Sequence, residues 1–253
     1  MVPQARDFFY PDMPFTFSHP AIVLPFMRAH TKSFSMSALV VASMIPDFQY
    51  FFSMKLNGRF SHTLPGVLFF DIPVSLVIWI VFQGLVKKPL IDNSPRWISG
   101  RLQPLRSFDF LAYLKTHPMG LLMCIVIGAG SHIVWDGFTH HDGMFVPFLP
   151  ELDSYVQIAG LPEIPVFRYL QHVSTIIGGG LITYVFLKMP VEEIHTGSGG
   201  KFWLVLFAFA IPAFSIRSWF GVEYYGDLIV IIISSFFIGL IAASLLQIKS
   251  SRM

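Results

Sequence analysis

Five apolar runs, each about as long as a membrane-crossing helix, constrain this chain more than any other feature. An α-helix needs about 20 mostly apolar residues to cross the hydrocarbon core of a bilayer. Only 13% of the 253 residues are charged, whereas soluble domains carry about 25%. The sequence therefore predicts an all-α, polytopic membrane helix bundle with about five transmembrane helices. The runs are Val67–Val86, Met119–Phe138, His172–Met189, Phe202–Phe220 and Asp227–Ile248.

The N-terminal part is also apolar, but its runs are shorter or interrupted. Phe34–Phe52 contains Asp47 directly after Pro46, and a proline removes a backbone donor from a helix. Ala21–Met27 is too short to span a bilayer and is interrupted by Pro25. We expect both segments to form buried or interfacial helices that pack against the bundle.

The connections between the runs differ in charge, which predicts the orientation of the chain in the membrane. Residues 139–168 carry one basic side chain, Arg168, together with acidic Glu151, Asp153 and Glu163. Lysine and arginine accumulate in the cytoplasmic connections of membrane proteins. We therefore expect residues 139–168 on the outer side and residues 87–117 in the cytoplasm. The basic residues of 87–117 are Lys87, Lys88, Arg96, Arg101, Arg106 and Lys115.

The composition also excludes several kinds of site. The net charge is only +2 and no basic block is present, which argues against nucleic acid as a partner. The only cysteine, Cys124, lies in an apolar run, so neither a disulfide framework nor a thiolate metal site is available. Any bound metal must use histidine and carboxylate ligands, which suit zinc or a similar borderline ion.

A polar cluster lies within and just after the second apolar run. His132, Asp136 and His140 follow one another at four-residue spacing, so on a helix they share one face. Polar groups buried without partners cost several kcal/mol each, roughly 2–7 by transfer measurements, and ionisable residues inside a membrane usually mark a functional site. The pattern indicates a metal site. His140 and His141 are alternatives, one of them facing the site and the other facing solvent.

Three more short motifs carry candidate ligands: Ser18-His19-Pro20, Pro46-Asp47 and Ser61-His62-Thr63. The expected topology places the end of the Asp47 helix, His62 and His140 near the outer face, where they can converge on one site. Five or six such ligands would be enough for two ions that share a carboxylate.

Each candidate also has a plain structural interpretation. His19 fits an ordinary turn, Asp47 a helix cap, and the pair of His132 and Asp136 a hydrogen bond that stabilises the bundle. Asp71 is an intramembrane carboxylate with no evident role, and a hydrogen bond to a ligand histidine is one role open to it.

Together, four segments resemble the bacterial family called domain of unknown function 4184. They are MPFTFSHP (residues 13–20), SALVVASMIPDFQYF (37–51), RFSHTLPG (59–66) and GSHIVWDGFTHHDG (130–143). The order of the motifs is similar, more distantly, to YdjM-type inner-membrane metal-dependent hydrolases. Those in turn resemble zinc-dependent phospholipase C, an all-helical fold whose ligands are spread over several helices.

The resemblance implies a divalent metal, with zinc expected. Carried over by motif, the metal ligands would be His19, Asp47, His62, His132 and Asp136, with His140 or His141 in place of later ligands. Asp47 would be the base or a metal-bridging carboxylate. The implied domains are an extension at 1–12, a metal-dependent hydrolase-like membrane domain at 13–190 and a C-terminal pair of transmembrane helices at 191–253.

The favoured hypothesis is a hydrolase of the bacterial inner membrane that acts on a phosphoester or lipid head group at the outer interface. Its partners would be membrane lipids and an amphiphilic substrate. Two other classes stay open: a metal-ion transporter, and a non-catalytic membrane protein with a buried His–Asp network. Metal content distinguishes the last from the others, and metal flux in vesicles distinguishes a transporter from an enzyme.

Overall fold

The computed structural model describes residues 15–28, 34–56, 60–192 and 199–250, with side chains at 15–26, 34–56, 60–192 and 199–248. The expected extension at 1–12 lies outside this part of the chain. Within it, five helices are long and apolar enough to cross a membrane, and the only strands form a hairpin, Tyr155–Val156 with Ile164–Pro165. The prediction of an all-α membrane helix bundle is confirmed. The spans, named first to fifth below, are Leu64–Asn93, Pro118–Thr139, Val166–Lys188, Gly200–Trp219 and Tyr225–Ile248.

Short helices fill the remaining described segments. The N-terminal segment is a 3₁₀ helix, Thr16–Arg28, and shorter 3₁₀ turns lie at Ile45–Asp47, Phe60–His62, Val146–Phe148 and Pro150–Asp153. Short α-helices lie at Met36–Ala42, Phe48–Ser53, Arg96–Arg106 and Phe110–Thr116.

The weak apolar candidate at 34–52 does not cross the membrane as one helix. It breaks into two short helices around the 3₁₀ turn Ile45–Asp47, at whose first turn Pro46 lies. Proline cannot donate the hydrogen bond that would continue a helix. The break leaves Asp47 buried at the junction, 3% exposed, where its carboxylate faces the bundle interior and makes no helix-cap hydrogen bond.

Close helix contacts at two glycines hold this N-terminal part against the spans. A Cβ atom on Gly128 of the second span would come within 2.7 Å of the Leu39 carbonyl oxygen. A Cβ atom on Gly178 of the third span would come within 2.8 Å of the Ser18 carbonyl oxygen, whereas one on Gly180 would meet nothing within 4 Å. Small residues allow such backbone approach inside membranes.

The first span buries a polar face and presents apolar side chains outward. Every fourth residue is buried from Asp71 through Ser75, Trp79 and Gln83 to Lys87, each at most 4% exposed. The Trp79 indole and the Gln83 amide both donate to the Ser37 hydroxyl, at 3.0 and 2.7 Å.

Two π-helical turns, Val67–Asp71 and Phe82–Val86, interrupt the first span. Pro73 and Pro89 follow them within three residues. A proline ring disturbs the helical bonding of the preceding turn, which accounts for the placement of these turns. π-turns occur frequently at functional sites.

Candidate metal centre

Four side chains from three separate segments bring one ligand atom each to a common point. Asp47 follows the broken helix, His62 ends a 3₁₀ turn just before the first span, and His132 and Asp136 lie on the second span. Their four ligand atoms all lie within 4.8 Å of one another. A group of this composition could hold a metal ion.

The distances between these atoms have the scale of a tetrahedral zinc site. Oδ2 of Asp136 lies 3.0 Å from Nε2 of His132 and 3.2 Å from Nε2 of His62. Oδ1 of Asp47 lies 3.5 Å and 3.7 Å from the same two nitrogens. Bonds of 2.0–2.1 Å at a tetrahedral ion place neighbouring ligand atoms about 3.3–3.4 Å apart. The four carboxylate–imidazole distances are therefore close to this spacing, and all the ligand atoms lie within 4.8 Å of one another.

The hydrogen bonds of His132 leave its ligand nitrogen free. Nδ1 lies 2.8 Å from the Ser43 carbonyl oxygen, to which it donates as N–H. Such a bond fixes the tautomer and leaves a lone pair on Nε2. Nε2 is fully buried and makes no hydrogen bond among the described residues, although two carboxylates lie close to it. Nε2 of His132 therefore keeps a lone pair directed at the two carboxylates, as a ligand of a shared metal ion would.

Each carboxylate uses its second oxygen for support. Oδ2 of Asp47 accepts a 2.5 Å hydrogen bond from the Thr16 hydroxyl. Oδ1 of Asp136 lies 3.0 Å from Nε2 of His19. Supporting contacts of this kind orient ligands and tune their basicity.

His19 therefore lies beside the four-atom group and not within it. Its ring stacks on that of His132 with centroids 3.9 Å apart, and its Nδ1 lies 3.3 Å from the Thr16 carbonyl oxygen. Burial, and then the neighbouring His132, lower the pKa of His19 below its ordinary value. The resemblance implied that His19 is a ligand, and the structure places its Nε2 3.0 Å from Oδ1 of Asp136, the oxygen outside the four-atom group.

His140 and His141 separate clearly in the structure. Nδ1 of His140 lies 3.6 Å from Oδ1 of Asp136 and 3.3 Å from the Asp136 carbonyl oxygen. The side chain of His141 is 74% exposed and lies 3.4 Å from Asp153. Of the two alternatives, His140 adjoins the site and His141 faces away from it.

Access to the centre is on the side of His62. The side chain of His62 is 22% exposed, compared with 4% for Asp47, 0% for His132 and 9% for Asp136. The same edge carries Leu64, which is 84% exposed. A molecule would therefore reach the four ligand atoms past His62, at the end of the bundle where the first span begins and the second ends.

Asp71 is the buried acidic residue whose role the sequence left open. It is fully buried, and neither carboxylate oxygen has a hydrogen-bond partner among the described residues. A hydrogen bond to a ligand histidine, which the sequence left open, is not formed among the described residues. No periodicity in the sequence distinguishes Asp71 from a paired carboxylate, because its surroundings depend on how the N-terminal helices pack.

Comparison with known proteins places the chain in a family. No curated protein and no solved structure matches it. A model of the family described as Domain of unknown function (DUF4184) matches residues 13–245. The match covers His19, the four ligand residues and all five spans almost completely. The chain therefore belongs to the DUF4184 family.

Proposed function

We propose that this protein is a zinc-dependent hydrolase of the membrane that cleaves a phosphoester, with a lipid head group as the substrate class. The observation that carries the proposal is the convergence of Asp47, His62, His132 and Asp136, whose ligand atoms lie within 4.8 Å of one another, with N and O donors of the kind that zinc takes. Zinc in such a site acts as a Lewis acid and lowers the pKa of a coordinated water to roughly 7.

The ligand distances suggest different roles for the two carboxylates. Asp136 lies within 3.2 Å of both ligand histidines, whereas the Asp47 oxygen lies about half an ångström farther from each. Catalytic zinc sites use three protein ligands and keep a fourth position for water or substrate. We assign His62, His132 and Asp136 to the metal and leave the fourth position to water, with Asp47 beside it as the base that accepts a proton from that water.

The supporting residues keep this arrangement fixed. The Thr16 hydroxyl donates to Oδ2 of Asp47, and Oδ1, which faces the two histidines, is left to take the proton. His19 holds the outer oxygen of Asp136. A base must lie within hydrogen-bonding reach of the proton it takes, and burial of Asp47 excludes competing solvent.

The depth of the centre favours an amphiphilic substrate. Asp136 lies three residues before the end of the second span at Thr139, which is about 4.5 Å along the helix axis. The entrance at His62 is flanked by exposed Phe60 and Leu64. A lipid could therefore present its head group to the ligands while its acyl chains stay in the bilayer.

Charge supports the inner membrane and an outward-facing site. Residues 140–165, at the end of the bundle that carries the centre, contain no lysine or arginine. Arg96, Arg101, Arg106 and Lys115 lie at the opposite end, between the first and second spans. By the positive-inside rule that end is cytoplasmic. The same chemistry and location are what the resemblance of the motifs to YdjM-type hydrolases and zinc-dependent phospholipase C would imply.

The buried face of the first span argues against a metal transporter. An ion path requires polar groups in continuous succession through the bilayer. Below Ser75 the face is filled by Trp79, which is fully buried and packs in the hydrophobic core. The indole therefore interrupts the row of buried polar side chains between Ser75 and Gln83.

Purified protein tests the proposal directly. Zinc content is measured first, and phospholipid vesicles and simple phosphodiesters are then offered with and without a chelator. Asp47→Asn should retain zinc but lower turnover about 10²-fold or more, the scale of a positioned acid–base group. His141→Ala is the matched control, because this histidine is exposed and lies away from the centre. Full turnover in Asp47→Asn would refute its assigned role, and zinc binding without turnover on any phosphoester would refute the hydrolase.

A further inference from the structure

Asp71 and Ser75 are two buried polar residues that the proposed hydrolysis does not use. Both are fully buried in the first span, and they lie four residues apart on its buried face. Both oxygens of Asp71 and the hydroxyl of Ser75 lack a hydrogen-bond partner among the described residues. Unsatisfied polar groups in a membrane interior cost several kcal/mol each, roughly 2–7 by transfer measurements. Both residues therefore require a partner that is not a side chain of the described residues.

The free hydroxyl of Ser75 is unlike several others in the same bundle. The hydroxyl of a serine or threonine in a helix commonly donates a hydrogen bond to the carbonyl oxygen three or four residues earlier. Ser131 does so at 2.7 Å, Thr175 at 2.8 Å and Ser234 at 2.8 Å. Ser75 does not use the equivalent carbonyl, and in this it resembles Ser99, Ser218, Ser235 and Ser244. What distinguishes Ser75 is a second unpartnered group, Asp71, one turn earlier on the same face.

Asp71 and Ser75 have the metal ligands on one side and a buried tryptophan on the other. Asp71 ends the first π-turn and lies within electrostatic reach of His132 and Asp47. On the other side, Trp79 is fully buried and donates to Ser37. A small ligand at Asp71 and Ser75 would therefore be enclosed between the metal ligands and the indole.

A cation satisfies these groups better than a proton does. A protonated Asp71 would carry an O–H group that needs an acceptor, and the described residues supply none. A cation needs no acceptor and is attracted by the carboxylate oxygens and by the hydroxyl oxygen alike. Carboxylate and hydroxyl oxygens are hard ligands, and they suit hard ions.

The charge of the ion follows from the neighbouring centre, and this step rests on the proposed function. A divalent ion balances the two negative charges of Asp47 and Asp136, while ligand histidines are neutral. Asp71 adds one negative charge that no described basic side chain pairs with. A single positive charge restores neutrality in this low-dielectric interior.

We propose that Asp71 and Ser75 form a second cation site that takes sodium, directly inward of the zinc centre. Sodium is a hard monovalent ion, and membrane proteins bind it with backbone carbonyls where a helix is irregular. The π-turn that ends at Asp71 is such an irregularity.

Binding of radioactive ²²Na⁺ to the purified protein tests this site, with zinc measured on the same samples. Wild type should show one saturable class of sites that an equal concentration of K⁺ does not displace. Asp71→Asn should weaken sodium binding about tenfold or more, since even supporting residues of ion sites cost 10–100-fold. Ser75→Ala should weaken it less. Ser234→Ala is the matched control, because this buried serine already bonds two carbonyl oxygens.

The outcomes separate the two sites. Sodium binding that survives in Asp136→Asn, while zinc is lost, supports two distinct sites. Sodium binding without zinc in wild type would overturn the proposed function but leave ion binding at Asp71 intact. No saturable sodium binding by folded wild type, or unchanged binding by Asp71→Asn, would overturn the second site and identify Asp71 as a buried neutral acid.

Discussion

Replacing Asp136 by asparagine is the most severe single test of the metal centre. The two carboxylate oxygens of Asp136 approach four histidines: His19 and His140 at 3.0 and 3.6 Å, and His62 and His132 at 3.2 and 3.0 Å. Asparagine keeps the size of the side chain but loses its negative charge. If an amide nitrogen takes the inner position, no ligand atom remains there.

The expected loss of affinity follows from the number of ligand atoms. Structural zinc sites with four ligands bind with about 10–16 kcal/mol, or roughly 2.5–4 kcal/mol for each ligand if it is shared evenly. At 1.4 kcal/mol per factor of ten, Asp136→Asn should weaken zinc binding about 10²- to 10³-fold. His19→Ala removes only a supporting contact and should cost about 10- to 100-fold. His141→Ala should cost nothing measurable.

Competition with a chromophoric zinc chelator on detergent-purified protein measures all three variants. Circular dichroism and size-exclusion chromatography show whether each variant is folded, because Asp136→Asn leaves buried histidines without a charged partner. The graded order of the three losses is the informative result. Wild-type affinity in folded Asp136→Asn would refute the assignment of ligands, and a loss in His141→Ala as large as that in His19→Ala would refute the geometry.

Two further predictions concern packing and orientation. Gly178→Ala should destabilise the protein by about 1–3 kcal/mol, as overpacking does, because the new Cβ atom meets the Ser18 carbonyl oxygen at 2.8 Å. Gly180→Ala should not, and equal melting temperatures for the two variants would contradict the close contact. An impermeant thiol reagent applied to intact cells should label Ser154→Cys and not Ser107→Cys, both positions being exposed and the native Cys124 buried. The reverse pattern would invert the expected topology.

The sequence predicted the helices well because hydrophobic length alone determines them. The second apolar run, predicted as Met119–Phe138, is the helix Pro118–Thr139. The first begins three residues earlier than predicted, at Leu64, since Thr63 caps it and Pro65 is tolerated in a first turn. The π-turns were not predicted, because proline marks a disturbance of a helix without specifying its form.

The sequence predicted which residues form the candidate site better than it predicted how they contact one another. Motif and spacing singled out Asp47, His62, His132 and Asp136, which the structure brings together. They could not show that His19 lies on the outer oxygen of Asp136, since that depends on the docking of the N-terminal segment. The polar face from Asp71 to Lys87 was missed, because alternating apolar residues dominate the run.

The docking of the N-terminal segment on the third span has a consequence for how the protein is made. The Ser18 hydroxyl donates to the Thr175 carbonyl oxygen at 3.0 Å, and Gly178 lies against Ser18. A nascent chain that ends before residue 166 already contains every ligand, yet it lacks the helix that seats His19. At a synthesis rate of about 5–20 residues per second, Gly178 is made roughly 8–30 s after His19. The contact of His19 with Asp136, which would support the proposed metal, is therefore completed only after the third span has been synthesised.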